Sequence, residues 1–278
     1  MITRELGIAP LSTLTTPPDE LIYLAHEVGF DFVGLRVIPV TKQEPQYDLS
    51  PGSELHRKVT DALKNTGLKV KDAEFILLDG SDQRAEWRAA FERAASLGAR
   101  TLTVAVGLTD MAQTEDVVAS MVEVGAEFGI TPAIEPISYQ GVHTLEQAQQ
   151  LTKTGSLILP DTLHLHRGGM SPQQLTDCAA HVPLVQICGA GAQRPESREG
   201  LVEESRSSRL APDEGANDVV GFLRALPREI PVSVESQMTA LLNSTAHEHG
   251  WKSYIVQAMR SLRLQILQTL KTPRNIKT

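Results

Sequence analysis

The strongest constraint in this chain is a repeat of period rather than of sequence: eight short apolar runs, each followed by a helical pattern. The runs are "LGIAP" (6–10), "DFVGLRVIP" (31–39), "LKVKDAEFILL" (68–78), "ARTLTVAVG" (99–107), "ITPAIEP" (130–136), "SLILPD" (156–161), "PLVQICG" (183–189) and "PVSVES" (231–236). Between the first two, "PPDELIYLAHEVG" places Leu21, Leu24, Ala25 and Val28 on one helical face, opens on Pro-Pro-Asp and stops at Gly29. "SDQRAEWRAAFERAASLG" closes in the same manner at Gly98. With strand ends near 9, 37, 78, 106, 135, 161, 187 and 235, most intervals are 26 to 29 residues, and two are long, at 41 and 48. Eight strand–helix units in 278 residues have the count and length of a (β/α)8 barrel, or TIM barrel. An open doubly wound sheet also alternates in this way, but no Gly-rich dinucleotide loop follows any strand. The expectation is therefore one barrel domain over 1–270, with an extended loop after strand seven (188–213) and a basic, flexible tail, "KTPRNIKT", over 271–278.

Composition narrows the partners. Lys and Arg number 26 against 34 Asp and Glu, a formal charge of −8, which argues against nucleic acid as a ligand. No apolar run approaches the ~20 residues that span a bilayer, and the N-terminus lacks a secretory pattern. A cytoplasmic protein without membrane association is expected. Cys178 and Cys188 are too few for a disulfide framework and read as small buried residues.

In a barrel of this type chemistry sits where strands end. Strand five ends at Glu135 and strand six at Asp161, with His164 just beyond. Strand seven carries Gln186 between two apolar residues, and strand eight ends at Glu235. Each alone is an ordinary loop anchor or helix cap. Together, three carboxylates and an amide at one height repel one another unless protons or a cation neutralise them, and a divalent metal does so economically. An all-oxygen set (Glu135, Asp161, Gln186, Glu235) favours Mg²⁺ or Mn²⁺, admits Co²⁺ and leans against Zn²⁺. Arg36 and Glu74 are charges within apolar strands, suited either to pairing with a neighbour or to contacting substrate oxygens. His166, Arg206, His247 and His249 read as loop or surface residues.

The order Glu135, Asp161-x-x-His164, Gln186, Glu235 resembles the sugar phosphate isomerase/epimerase family, the xylose-isomerase-like barrels. That likeness implies one divalent metal on the four strand-end residues and a small-molecule substrate such as a sugar, a polyol-derived ketone or a keto acid. It implies proton abstraction next to a carbonyl through a metal-stabilised enolate, with Glu135 and Glu235 as the bases on opposite faces and His164 as a further acid/base. Many epimerases of the family have His at strand seven, so Gln186 departs from them. A second stretch, "EESRSSRLAPDEGANDVVGFLRALP" (203–227), is similar to the Ser-Arg-x-x-Arg segment of bacterial 3-dehydroshikimate dehydratases. By that likeness Ser205 and Arg209 hold a substrate carboxylate, and the activity is a lyase's, with His164 taking the proton. Asp213 stands where that segment usually has Gly, and no His follows two residues after Glu135. An abasic-site endonuclease, which shares the fold, is disfavoured by the eight histidines and the acidic charge. A non-catalytic binding protein is the remaining class. The substrate, the choice between isomerase and dehydratase, and the oligomeric state are not written in the sequence.

Overall fold

The computed structural model describes residues 4–237 and, beyond them, only helical positions between 256 and 267. His247, His249 and the tail expected over 271–278 lie outside the described residues. Eight parallel strands, β1 (Leu6–Ile8), β2 (Phe32–Arg36), β3 (Lys69–Leu78), β4 (Thr101–Val106), β5 (Thr131–Ile134), β6 (Leu157–Ile158), β7 (Val185–Ile187) and β8 (Val232–Val234), form one sheet in the order β6-β5-β4-β3-β2-β1-β8-β7. The two ends of that order meet at a single parallel bridge, Asp161 to Gln186, where the Gln186 N–H donates to the Pro160 carbonyl at 2.9 Å. The expected barrel is what the chain forms, and its seam is made by two of the polar residues singled out above.

Helices α1 (Pro18–Val28), α2 (Glu54–Thr66), α3 (Arg84–Ser96), α4 (Met111–Phe128), α5 (Leu145–Leu151), α6 (Thr162–Arg167), α7 (Pro172–Cys178), α8 (Arg198–Ser207) and α9 (Val219–Ala225) follow the strands. Local chemistry sets their ends. Asp110 caps α4 by accepting from the Gln113 N–H, and Gly129 ends it at φ 68°, a left-handed conformation that glycine reaches without strain. Gly29 ends α1 likewise, at φ 87°. The third expected stop differs slightly: α3 ends at Ser96, with Leu97 as its cap and Gly98 just past it. The loop expected after strand seven contains α8, and its base is stitched to the barrel by bridges from Gly189 to Leu210 and from Ala190 to Gly215.

Most of the core lies between sheet and helices, but Phe32, Ala133, Leu159 and Leu184 form a separate buried cluster. These are inward-facing residues of β2 and of the β5, β6 and β7 segments, and they close the barrel floor. Phe32 fills so much of it that a Cβ on Gly7 would lie 2.2 Å from its ring, which excludes any larger residue there. Strand periodicity of two then dictates what lies above. Two residues past the floor come Gly34, Glu135, Asp161 and Gln186, and one further step of two along β2 reaches Arg36 on the same inner face.

Candidate functional site

The inner face above the floor is acidic. Asp72 and Glu74 of β3, Glu135 after β5, Asp161 after β6 and Glu235 after β8 are all buried, with Gln186 of β7 among them. β3 and β7 are not neighbours, yet Gln186 Nε2 donates to Asp72 Oδ2 at 2.9 Å and to Glu74 Oε1 at 3.1 Å, so these contacts cross the barrel interior. Above them opens a cavity lined by Arg36, Glu74, Glu135, Tyr139, His164, Gln186, Ser205, Arg206, Arg209 and Glu235, among others. Every residue expected at the site except Asp161 lines this cavity, and Asp161 lies fully buried just behind Arg209.

The turn from β6 answers a local question. Where a loop follows Asp161 in the sequence reading, the chain forms the short helix α6, and Asp161 is its cap: Oδ1 accepts from the Leu163 and His164 N–H groups at 2.9 and 3.1 Å. That capping brings His164 back over the barrel, where Nε2 stands 3.7 Å from Glu135 Oε1 and Nδ1 is 3.2 Å from the Ser138 hydroxyl. The Tyr139 ring meets the His164 ring edge-on, with centroids 5.6 Å apart. One donor atom from each of Glu135, Asp161 and His164 falls within 4.8 Å of the others, a spacing compatible with one metal ion.

Two arginines, Arg209 buried and Arg36 largely so, offset part of the negative charge. Arg209, supplied by the segment after α8, places Nη1 at 2.6 Å from Asp161 Oδ2 and 2.9 Å from Glu235 Oε2, while its Nε donates to the Ser205 carbonyl. Arg36 pairs with Glu44 at 3.1 Å and Glu74 at 3.0 Å. Ser205 exchanges a hydrogen bond of 2.7 Å with the Tyr139 hydroxyl. Arg206 is exposed at the mouth, close enough for its charge to act on the Tyr139 hydroxyl. His166 is half-buried, and the two cysteines are free and buried.

Titration follows this arrangement. Burial pushes the Glu135 carboxyl well up, reinforced by the Glu235 and Asp161 charges. Burial also raises Glu235, and Arg209 only partly offsets it. For Asp161 burial acts upward too, but the closer Arg209 contact and His164 override it and hold the carboxyl below its ordinary range. Burial raises Asp72 to about 6, and burial and the Asp72 charge raise Glu74 to about 8. His164 is pushed down to about 4 by burial and so is a neutral imidazole at pH 7.

Asp72, Thr103, Tyr139 and Glu44 were not singled out from the sequence. Asp72 carried a usable signal, since it stands two residues before Glu74 and must share its face. Tyr139 and Glu44 come from loops, where no periodicity reports direction.

Comparison with known proteins agrees with the geometry. Residues 22–263 match the model of the xylose isomerase-like TIM barrel family. The chain belongs to that family. Among solved structures, it is similar to a xylose isomerase-like TIM barrel/4-hydroxyphenylpyruvate dioxygenase fusion protein, with 19% identity and a TM-score of 0.74 over 99% of this chain. It spans 46%, about half, of that fusion protein. A probable 3-DHS dehydratase, AsbF, of Bacillus anthracis is similar at 12% identity and TM-score 0.71, over 93% of this chain and 98% of the other. A D-allulose 3-epimerase from Methylomonas sp., solved with D-allulose, is similar at 14% and 0.64, over 95% and 98%. At these identities the likeness is one of fold. No curated protein matches the chain by sequence. Its structural neighbours thus include an epimerase and a probable dehydratase, and among the described residues no helix is long and apolar enough to cross a membrane.

Proposed function

We propose that this protein is a divalent-metal-dependent isomerase or epimerase that moves a proton next to the carbonyl of a small sugar, polyol-derived ketone or keto acid. The observation that carries the reading is the convergence of Glu135, Asp161 and His164 within 4.8 Å at a cavity that Gln186 and Glu235 also line. Charge supports it. Five buried carboxyls (Asp72, Glu74, Glu135, Asp161, Glu235) face two arginines, Arg36 and Arg209, a deficit that a divalent ion and a shared proton would fill. The donors fit the ion: Glu135, Asp161, Glu235 and the Gln186 amide oxygen would hold it. All-oxygen ligation suits Mg²⁺ or Mn²⁺, and the imidazole of His164 so close to Glu135 widens the choice to Co²⁺ and Zn²⁺. When bound, such an ion supplies Lewis-acid polarisation of the substrate carbonyl.

The chain's own groups do the rest. Glu135, poised upward in pKa by burial, takes the proton from carbon, and Glu235 on the facing strand returns one from the other side. Neutral His164 hydrogen-bonds the substrate oxygen or shuttles its proton. Arg36, Glu74 and Ser205 orient substrate hydroxyls from the cavity wall.

A dehydroshikimate-type lyase is the second reading. It is favoured by the pairing of Ser205 and Arg209 at one cavity wall and requires Arg209 to exchange Asp161 and Glu235 for a substrate carboxylate. One experiment separates the two. Metal-stripped protein is titrated with Mn²⁺ by calorimetry, then incubated in D₂O with a panel of keto-sugars and, separately, with 3-dehydroshikimate. Metal-dependent deuterium incorporation at the carbon next to the carbonyl, lost in Glu235→Ala, supports the isomerase. Protocatechuate absorbance from 3-dehydroshikimate instead makes the protein the lyase.

A further inference from the structure

Gln186 poses a problem of orientation. A side-chain amide has a donor end and an acceptor end of nearly equal shape, and only the acceptor end can bind a cation. In the barrel, Nε2 lies 2.9 Å from Asp72 Oδ2, 3.1 Å from Glu74 Oε1 and 3.5 Å from Glu235 Oε1. Turning the amide over would set Oε1 against carboxylate oxygens, so the surrounding acceptors dictate the donor end. The other end, Oε1, is buried and has no hydrogen-bond partner. A buried carbonyl without a partner is destabilising, and Gln186 is 1% exposed, so bulk water does not relieve it.

Asp72 is held in turn. The Thr103 hydroxyl donates to Asp72 Oδ1 at 2.8 Å and Gln186 donates to Oδ2, and the Asp72 carboxyl also shares a hydrogen bond with Glu74. Asp72 and Thr103 are each 1% exposed, and Asp72 does not line the cavity, so substrate does not reach it. A buried carboxylate that touches no substrate and is held by a hydroxyl, an amide and a neighbouring carboxyl is an expensive way to fill space.

We propose that Asp72 is a positioning residue: fixed by Thr103, it orients the Gln186 amide so that Oε1 is presented as a ligand oxygen to the divalent metal. This rests on the metal reading above. It gives the strand-seven glutamine what a histidine ligand obtains from a partner on its second ring nitrogen, a hydrogen bond that settles which atom faces the ion.

The test measures Mn²⁺ affinity of the full chain by calorimetry, with the Mn²⁺ paramagnetic resonance spectrum as a second readout, and needs no turnover. Asp72→Asn keeps the shape, and its amide can keep its oxygen toward Thr103 while setting N–H groups against Gln186 Nε2. Expected is a ~10–100-fold loss of affinity, with the urea midpoint of the metal-free protein at or above wild type. The Asp72 charge alone would also attract a cation, so the same substitution is made in a Gln186→Ala background. There Asp72→Asn should change affinity by no more than about twofold. An equal loss in both backgrounds overturns the proposal, because Asp72 would then act only as a charge. Thr103→Val removes the anchor without altering charge, and its affinity should fall in the same direction. An unchanged affinity in that variant also overturns the proposal. If the wild type binds no Mn²⁺, the metal reading fails together with it; if it binds and the two backgrounds respond alike, this inference alone fails.

Discussion

The barrel mouth holds two arginines with two carboxylates each, and they are not equivalent. Arg36 ends β2 and pairs with Glu74, its register partner on β3, and with Glu44 from the loop that follows. That loop leaves the cluster an outlet: the Glu44 side chain is 13% exposed, and Glu74 is raised far enough to take a proton near neutral pH. Arg209 arrives from the long insertion after strand seven, is 3% exposed, and puts one nitrogen between Asp161 and Glu235. Asp161 is fully buried, and Glu235 meets water only through the cavity. The β2–β3 side is thus a self-neutralised wall. On the β6–β8 side, an inserted arginine and a divalent ion would be alternative partners for the same oxygens.

Truncation should expose this asymmetry most strongly. Arg209→Met in metal-free protein should cost ~3–5 kcal/mol, because it strands a buried charge, and Mn²⁺ should recover part of the loss. Arg36→Met should cost less, about 1–3 kcal/mol, since Glu74 can protonate and Glu44 can reach water. Urea unfolding of both variants checks the ranking; equal losses would erase the distinction.

The next effect is one of pH. His164 has a folded pKa of about 4, below its ordinary 6.5, so the unfolded chain binds the extra proton between those values and stability falls as pH drops from 6.5 to 4. The contribution at stake is roughly 3 kcal/mol. In His164→Asn the slope over that window should flatten, as followed by urea midpoints in metal-free protein. An unchanged slope would mean that another group governs the acid limb. Arg206→Ala should be smallest of all. Its stability should stay within about 0.5 kcal/mol of wild type, because the side chain is exposed and its charge interaction with Tyr139 is screened by water. A rise in KM for substrates that carry an anionic group, with kcat little changed, would place Arg206 at the cavity mouth as a substrate contact.

How far the site was legible follows strand by strand. Glu135, Asp161, Gln186 and Glu235 stood out because a polar residue that ends or interrupts an apolar strand is conspicuous against period two. Asp72 was hidden inside "KVKDAEF", where polar residues recur on both faces and the strand's direction of facing is ambiguous without its neighbours. Arg209 was expected from the sequence as a clamp for substrate. In the folded chain its guanidinium lies on Asp161 and Glu235, a contact 48 residues long to Asp161 that no local pattern encodes. The helix after Asp161 escaped for a related reason. "TLHLHR" is too short to show helical period, and only the cap from Asp161 to the Leu163 and His164 N–H groups marks it.

The barrel is written locally along the chain: eight apolar runs at a repeating interval, punctuated by caps and glycines, admit few other solutions, and strand parity sends alternate residues inward. Which inward groups meet is settled only once the sheet closes. Closing the sheet at Asp161 and Gln186 sets β3 opposite β7 and brings the insertion's arginine over β6 and β8. These pairings depend on the curvature of the whole sheet and on where a long loop folds back, and neither is a property of any local stretch of chain.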